Sequence, residues 1–256
     1  MEIRILGTLE VGFRGKSLWI GTPRARTVLG VLLTRPGQVV SVDRLVDELW
    51  PVNPPSGARA QVHDYISKIR RSLREASAGG EAAARIVTRK PGYLIRVESG
   101  ELDWQQFEGL LRSARNASHP DLAIRSYKDA HAMWKGEPFA GVPWTAAIAD
   151  TATILIEQYL ASVEERFAIV VERGADGDSI SELTRLVIDY PLRERLVALL
   201  MRALYATGRT AEALEVGRRT RKRLAEELGV DPGRHLREAE LAILRGEIGH
   251  RPLADR

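Results

Sequence analysis

Cysteine is absent from the 256 residues, which excludes a disulfide framework and any thiolate metal site and suits a reducing interior. Long apolar runs are missing too. No stretch approaches the ~20 residues that cross a bilayer, and the opening Met1-Glu-Ile-Arg-Ile-Leu-Gly lacks the apolar centre of a secretory signal; the expectation is a cytoplasmic protein with no membrane partner. The usual catalytic signatures are also missing. His63, His119, His131, His235 and His250 are scattered without metal-ligand spacing, and there is no Gly-x-Ser-x-Gly elbow or glycine fingerprint opening a helix. Gly15-Lys16-Ser17 looks like the end of a phosphate loop, but Glu10 stands where its first glycine belongs. Asp176 and Asp178 are not followed by the ligand ladder of a calcium loop. The chain is therefore expected to be no enzyme and to need no cofactor or metal.

Acidic residues are scarce in one part only. Residues 1–98 carry sixteen Lys/Arg against nine Asp/Glu, a surplus of 16 − 9 = +7, whereas residues 99–256 carry twenty-two against twenty-five, or −3. The net +4 thus hides a basic N-terminal part suited to a polyanion and an acidic remainder that a polyanion repels.

In that basic part, Ile3, Ile5, Leu9 and Val11 alternate with polar or small residues, and Gly12 to Gly15 turns the chain before Leu18-Trp19-Ile20, predicting a small antiparallel meander. Thr22-Pro23 is a helix-start signal, followed by Ala25, Val28, Leu29, Leu32 and Leu33 at helical spacing. Ser41 caps a second helix with Val42, Leu45, Val46, Leu49 and Trp50, which Pro51 stops. After Asn53-Pro54-Pro55, with Ser56 as the expected cap, a third helix places Val62, Tyr65, Ile66, Ile69 and Leu73 inward and Asp64, Ser67, Lys68, Arg71 and Arg74 outward. Arg59 is expected nearer the buried side, and Arg70 to have the alternative of pairing with a carboxylate. A small connector, 76–84, leads to Ile86 to Val97, two β-prone arms around Pro91-Gly92 with Arg89 and Lys90 near the turn. Three helices and a hairpin make a winged helix-turn-helix.

From Asp103 the pattern is wholly helical. Asp103 is an expected cap with Trp104, Phe107, Leu110 and Leu111 inward, and Asp121 opens a helix carrying Tyr127, Ala130 and Trp134. A long helix covers about 145–171 with Ile154, Tyr159, Val163 and Phe167 inward. Val197, Leu200, Met201, Leu204, Gly208 and Ala213 fit the helix-turn-helix spacing of a tetratricopeptide repeat. Asp231-Pro232 is expected to cap a last helix with Leu236, Ala239 and Ile243. The fold class is mainly α with small β elements: a winged helix over 1–98 and an all-α tetratricopeptide-like array over 103–246. The basic run Arg218 to Arg223 is a rival polyanion surface, but Glu215, Glu226 and Glu227 lie at or near i±4 positions, so a salt-bridged helix face is expected there.

Residues 1–98 resemble the DNA-binding domain of OmpR-type response regulators, on Ser67-Lys68-Ile69-Arg70-Arg71-Ser72-Leu73 together with Thr88-Arg89 and Pro91-Gly92-Tyr93. With a helical array carrying Pro191-Leu-Arg-Glu-Arg and Leu228-Gly-Val-Asp-Pro-Gly behind it, the chain resembles the Streptomyces antibiotic regulatory protein family in a short form. The resemblance implies a transcriptional activator that binds direct repeats near promoter −35 elements of a secondary-metabolite gene cluster, as a homodimer on double-stranded DNA, and contacts RNA polymerase through its σ or other subunits. Gln61, His63, Asp64, Ser67 and Lys68 are the expected base readers, because they lie on the outward arc of the third helix. Arg70, Arg71 and Arg74, with Arg89 and Lys90 of the wing, are the phosphate or minor-groove candidates. A repressor using the same DNA surface, or a helical-repeat scaffold, is the alternative.

Overall fold

The computed structural model describes residues 1–76 and 85–247; most of the connector and His250 lie outside them. The chain forms two compact units, 1–117 with 125–160, and 118–124 with 161 onward. The change of composition at residues 98–103 falls inside the first.

The first unit begins with an antiparallel sheet of β1 (Glu2–Arg4), β2 (Glu10–Phe13) and β3 (Lys16–Ser17). Arg14 and Gly15 close its second hairpin with φ of 50° and 77°, the two positive values that match the strand twist in a two-residue turn. Helix α1 (Pro23–Leu33) starts on the Thr22 hydroxyl, which accepts the Ala25 N–H at 3.3 Å. Beyond its apolar stripe, Thr27, Gly30 and Val31 are buried as well, so α1 is enclosed on most sides. β4 (Val40–Ser41) leads directly into α2 (Val42–Leu49), where Ser41 accepts the Arg44 N–H. α3 (Ala58–Ala76) buries Val62, Tyr65, Ile66, Ile69 and Leu73, as its periodicity predicts. Its start differs from expectation: Ala58 is the first helical residue and Gly57 accepts the Gln61 N–H, two residues of chain past Pro55, so Ser56 falls too early to cap it.

The wing strands β5 (Ile86–Arg89) and β6 (Gly92–Ile95) pair antiparallel, and β4 joins them in the order β4-β6-β5. Gly92 opposes Ser41 in that sheet, and a Cβ on Gly92 would lie 1.9 Å from the Val40 carbonyl oxygen. Glycine is therefore required where the turn end of the wing meets the start of α2.

α4 (Asp103–Arg115) corrects a second cap. Asp103 is the first residue of the helix, and Leu102 occupies the cap position. The Asp103 carboxylate is buried and accepts the N–H groups of Ile5 at 2.9 Å and Leu6 at 3.0 Å. Burial raises its pKa above the usual carboxylate value, against the lowering effect of those backbone bonds. It satisfies buried donors that follow β1, which a periodicity argument cannot reveal. The segment after α5 (Pro120–Ala132) continues this: Ile5, Leu6 and Gly7 accept N–H groups of Phe139, Lys135 and Ala140, and Phe139 is fully buried.

α6 (Ala146–Arg173) presents its first half to the first unit. Ile148 Cδ1 lies 3.0 Å from the Cβ that Gly30 lacks, so the absence of a side chain on α1 lets α6 approach. The buried Glu48 of α2 accepts the Ala147 N–H at 3.0 Å and pairs with Arg44 at 2.7 Å. A carboxylate at the N-terminal end of a helix is also favoured by the helix dipole. Val163 and Phe167 point inward, but Ile154 is 55% exposed. The buried positions Ile148, Ala152, Leu155, Val163 and Phe167 follow a helical seam, and Ile154 sits about 100° away from its neighbour Leu155.

The second unit contains the later part of α6, then α7 (Gly177–Asp189), α8 (Glu194–Ala206), α9 (Thr210–Leu228) and α10 (Arg234–Leu244). Asp176 caps α7 by accepting the Ser179 N–H. Val197, Leu200, Met201, Leu204 and Ala213 are all buried, and Gly208 turns the chain between α8 and α9 with φ of 80°. Gly233, not Asp231, stands at the start of α10. Its N–H is held at 2.6 Å by Glu194, while Arg193 and Arg195 pair with the buried Glu164 of α6 at 2.7 and 3.5 Å. The Pro191 and Leu228 motifs are thus joined through one carboxylate, and their charged residues pin helices together.

Candidate nucleic-acid interface

α3 and the β5–β6 hairpin lie side by side, tied by the side chains of His63, Arg70, Thr88 and Tyr93. Arg70 donates from Nε and Nη2 to the Ile86 carbonyl oxygen at 3.2 and 2.9 Å, and from Nη2 to the Thr88 hydroxyl at 2.9 Å. Its guanidinium stands 5.6 Å from the Tyr93 ring centre. Tyr93 Oη and His63 Nδ1 are hydrogen-bonded at 2.5 Å, with the rings edge to face. Arg70 therefore pairs with a strand carbonyl and a hydroxyl instead of a carboxylate, and its planar fork suits that bidentate grip. Tyr93 and Thr88 carry no local sign of this role, because the contacts join residues 18 and 30 apart in the chain and depend on how the hairpin is registered against α3.

The other candidates are placed as follows. Asp64 and Lys68 form an i,i+4 ion pair at 2.7 Å, and Lys68 Nζ is 5.8 Å from the Tyr65 ring centre. Ser67 is exposed, its hydroxyl donating to the His63 carbonyl oxygen at 2.9 Å. Gln61 is half-buried and receives a long 3.4 Å contact from the Tyr65 hydroxyl. Arg59 is exposed, contrary to expectation, and pairs with Asp43 of α2. Arg71, Arg74, Arg89 and Lys90 are all exposed. Among the described residues, these four cations have no hydrogen-bond or ion-pair partner.

The rival cluster on α9 differs. Arg218 and Arg219 share Glu215 at 2.8 and 2.7 Å, Lys222 and Arg223 pair with Glu226 and Glu227 at 3.7 and 2.7 Å, and Arg221 pairs with Glu240 of α10. The Arg218 and Arg219 guanidiniums hold the Glu215 carboxyl down at about 2. The salt-bridged face expected from sequence is present. No group of metal-binding side chains occurs among the described residues, and no helix there is long and apolar enough to cross a membrane.

A winged helix-turn-helix followed by a tetratricopeptide-like helical array is the make-up of a transcriptional regulator, and known proteins agree. Residues 16–95 match the family described as "Transcriptional regulatory protein, C terminal", and residues 102–244 the family described as "Bacterial transcriptional activator domain". Regulatory protein DnrI of Streptomyces peucetius is 33% identical over 255 residues, a match covering 97% of this chain and 94% of that protein. Regulatory protein AfsR of Streptomyces coelicolor is 37% identical over 255 residues, covering 96% of this chain and 24% of that protein; the chain spans about a quarter of the length of such AfsR relatives. The structure of Mycobacterium tuberculosis EmbR in complex with a low affinity phosphopeptide aligns with a TM-score of 0.86 at 30% identity, over 99% of this chain and 66% of that one. The chain belongs to the Streptomyces antibiotic regulatory protein family.

Proposed function

We propose that this regulator activates transcription in the cytoplasm by binding direct repeats near the −35 region of promoters of a secondary-metabolite gene cluster. α3 enters the major groove and the wing follows the adjacent backbone or minor groove. The helical array of the second unit contacts RNA polymerase, and two copies bind side by side on the DNA. The observation that carries this reading is a set of four exposed cations, Arg71, Arg74, Arg89 and Lys90, without a partner among the described residues and spread over α3 and the hairpin braced against it.

Base readout falls to Asp64, Ser67 and Lys68, with Gln61 beside them. The Asp64–Lys68 pair is no obstacle. An exposed i,i+4 ion pair is worth ~0.3–0.5 kcal/mol, whereas a good base contact discriminates by ~1–3 kcal/mol. His63 and Arg70 are assigned to holding the wing, so Arg70 leaves the group of phosphate contacts. Four neutralised phosphates per copy give a slope of log K against log salt of roughly −4.

Footprinting on the neighbouring intergenic regions, followed by transcription in vitro from a protected promoter, tests the reading. Lys68→Ala combined with Arg71→Ala should nearly abolish protection while leaving the helical circular-dichroism signal intact; unchanged protection refutes the assignment. Fewer transcripts in the presence of the protein would make it a repressor acting through the same surface.

A further inference from the structure

His63 has a second ring nitrogen that holding the wing does not use. Its Nδ1 meets Tyr93 Oη at 2.5 Å, a distance within the range of hydroxyl donors and short of the N–H range. The phenol therefore donates, Nδ1 accepts, and the neutral ring carries its proton on Nε2. In a charged ring the bond turns round, the hydroxyl oxygen accepts, and Nε2–H stays in place. Nε2 is thus a donor in both charge states. His63 is exposed while Tyr93 is buried, and among the described residues Nε2 has no hydrogen-bond or ion-pair partner.

The place of the ring selects its partner. Asp64, Ser67, Arg71 and Arg74 follow the outward line of α3, whereas His63 and Arg70, seven residues apart, share its wing-side edge. Arg70 fills that edge by gripping Ile86 and Thr88. Tyr93 follows Gly92, which stands opposite Arg89 in the hairpin, so His63 lies beside the turn end of the wing, where Arg89 and Lys90 are exposed. A helix in the major groove offers its outward line to base edges and its flanks to the backbone on either side. A ring with one nitrogen taken has a single donor. That is too little for the bidentate contacts that read a base and enough for a phosphate oxygen.

We infer that the crevice between α3 and the wing seats one DNA backbone phosphate on His63 Nε2, and that the imidazole takes up a proton as the phosphate arrives. Tyr93 is the positioning residue that fixes the ring. A phosphate oxygen beside Nε2 favours the charged ring, and histidine is the side-chain type that changes charge between about pH 5 and 8. The charged groups on the elements packed here are Arg59 tied to Asp43, Asp64 tied to Lys68, Arg70 tied to the wing, and the exposed Arg89 and Lys90. The bound form holds one proton more than the free form, so affinity rises as pH falls. The inference rests on the DNA-binding reading and adds to its four cations a fifth phosphate contact that works only when the ring is charged.

The test uses the full chain and fluorescein-labelled duplexes of about 20 base pairs and arbitrary sequence, since a phosphate contact does not depend on sequence. Anisotropy across a salt series should give a slope of log K against log salt steeper by about one at about pH 6 than at about pH 8. At fixed low salt, affinity should rise roughly three- to tenfold over the same change. His63→Gln, whose amide nitrogen reaches the place of Nε2 without charge, should show the shallower slope at both pH values and a pH effect below about twofold. Nitrogen NMR of the free protein at about pH 8 should find His63 protonated at Nε2 alone, and at both nitrogens in exchange once Tyr93→Phe removes the hydroxyl. Equal slopes at the two pH values, a pH effect that survives His63→Gln, or a neutral ring protonated at Nδ1 would each overturn the inference. So would a His63→Gln loss confined to one duplex sequence, which would make His63 a base reader. These results leave DNA binding itself standing, whereas no binding of any duplex at low salt at either pH would sink the DNA reading and this inference together.

Discussion

α3 and α9 are both nineteen-residue helices with five Lys or Arg, yet they use that charge differently. α9 has four glutamates of its own and draws on Glu240 of α10, and each of its five cations has a carboxylate partner. α3 has Asp64 and Glu75 alone; it ties Arg59 to Asp43, Lys68 to Asp64 and Arg70 to the wing, and leaves Arg71 and Arg74 without a partner among the described residues. α9's arginines stand in a denser run, so cation density is a poor guide to a polyanion surface. What distinguishes the two faces is whether the neutralising charge is already on the protein.

The sharpest way to break this contrast is to remove two cations from each helix. Arg71→Ala with Arg74→Ala should weaken promoter binding by about 2–4 kcal/mol, some 30- to 1,000-fold, and flatten the salt slope by about 2. Arg221→Ala with Arg223→Ala should change affinity less than about threefold, because their charge is already spent on glutamates. Equal losses in the two pairs, measured by fluorescence anisotropy across a salt series, would erase the distinction.

Arg70 is an arginine of α3 that should behave as neither. Arg70→Met removes the donors to Ile86 and Thr88 and should lower unfolding stability by about 1–3 kcal/mol. Arg70→Lys should recover little of it, because an ammonium cannot reproduce the fork. The salt slope of DNA binding should stay as in the parent protein; a drop of about one unit would restore Arg70 to the phosphate contacts.

A smaller change should make α9 more like α3. Glu215→Gln releases Arg218 and Arg219 together, and binding to a nonspecific duplex at low salt should rise by roughly two- to fivefold with a steeper salt dependence. No gain would mean that more than pairing keeps α9 off DNA.

The smallest effect is a titration. Glu215 falls from 4.5 to about 2 in the folded protein. A lowered carboxyl pKa contributes stability that is present above the unfolded value and lost as pH falls through the folded one. The Glu215 pairs should therefore be intact at pH 5 and break only as pH nears about 2, while the stability they contribute is lost between 4.5 and about 2. Carbon-detected NMR of the Glu215 carboxyl checks this, and a midpoint near 4.5 would mean that the two arginines do not hold it.

Much of this was legible in the sequence, for a simple reason: the helices are amphipathic, so periodicity alone assigns the buried face of α3, the stripe of α1 and the repeat pair α8–α9. The outward arc of α3 follows from the same count. What stayed hidden depends on distant partners. Asp103 reads as a cap because aspartate before an apolar run usually is one, yet its carboxylate serves Ile5 and Leu6 nearly a hundred residues earlier. His63 reads as a base contact because it lies on the outer arc, and only the wing's register shows Tyr93 at its ring nitrogen. Glu48, on which the periodicity of α2 is silent, is buried and accepts the N–H of Ala147 nearly a hundred residues later.

The seat of Ile148 over Gly30, with Ala147 held by Glu48, bears on how such regulators change over evolution. A winged helix ending at the wing would uncover the face of α1 that α6 closes, and would leave a carboxylate on α2 without its backbone donor. A junction near residue 100 therefore inherits an unfinished core, whereas one beyond residue 160 keeps the contact of α6 with α1 and α2. Shuffling of partners onto this winged helix should favour junctions in the later helices.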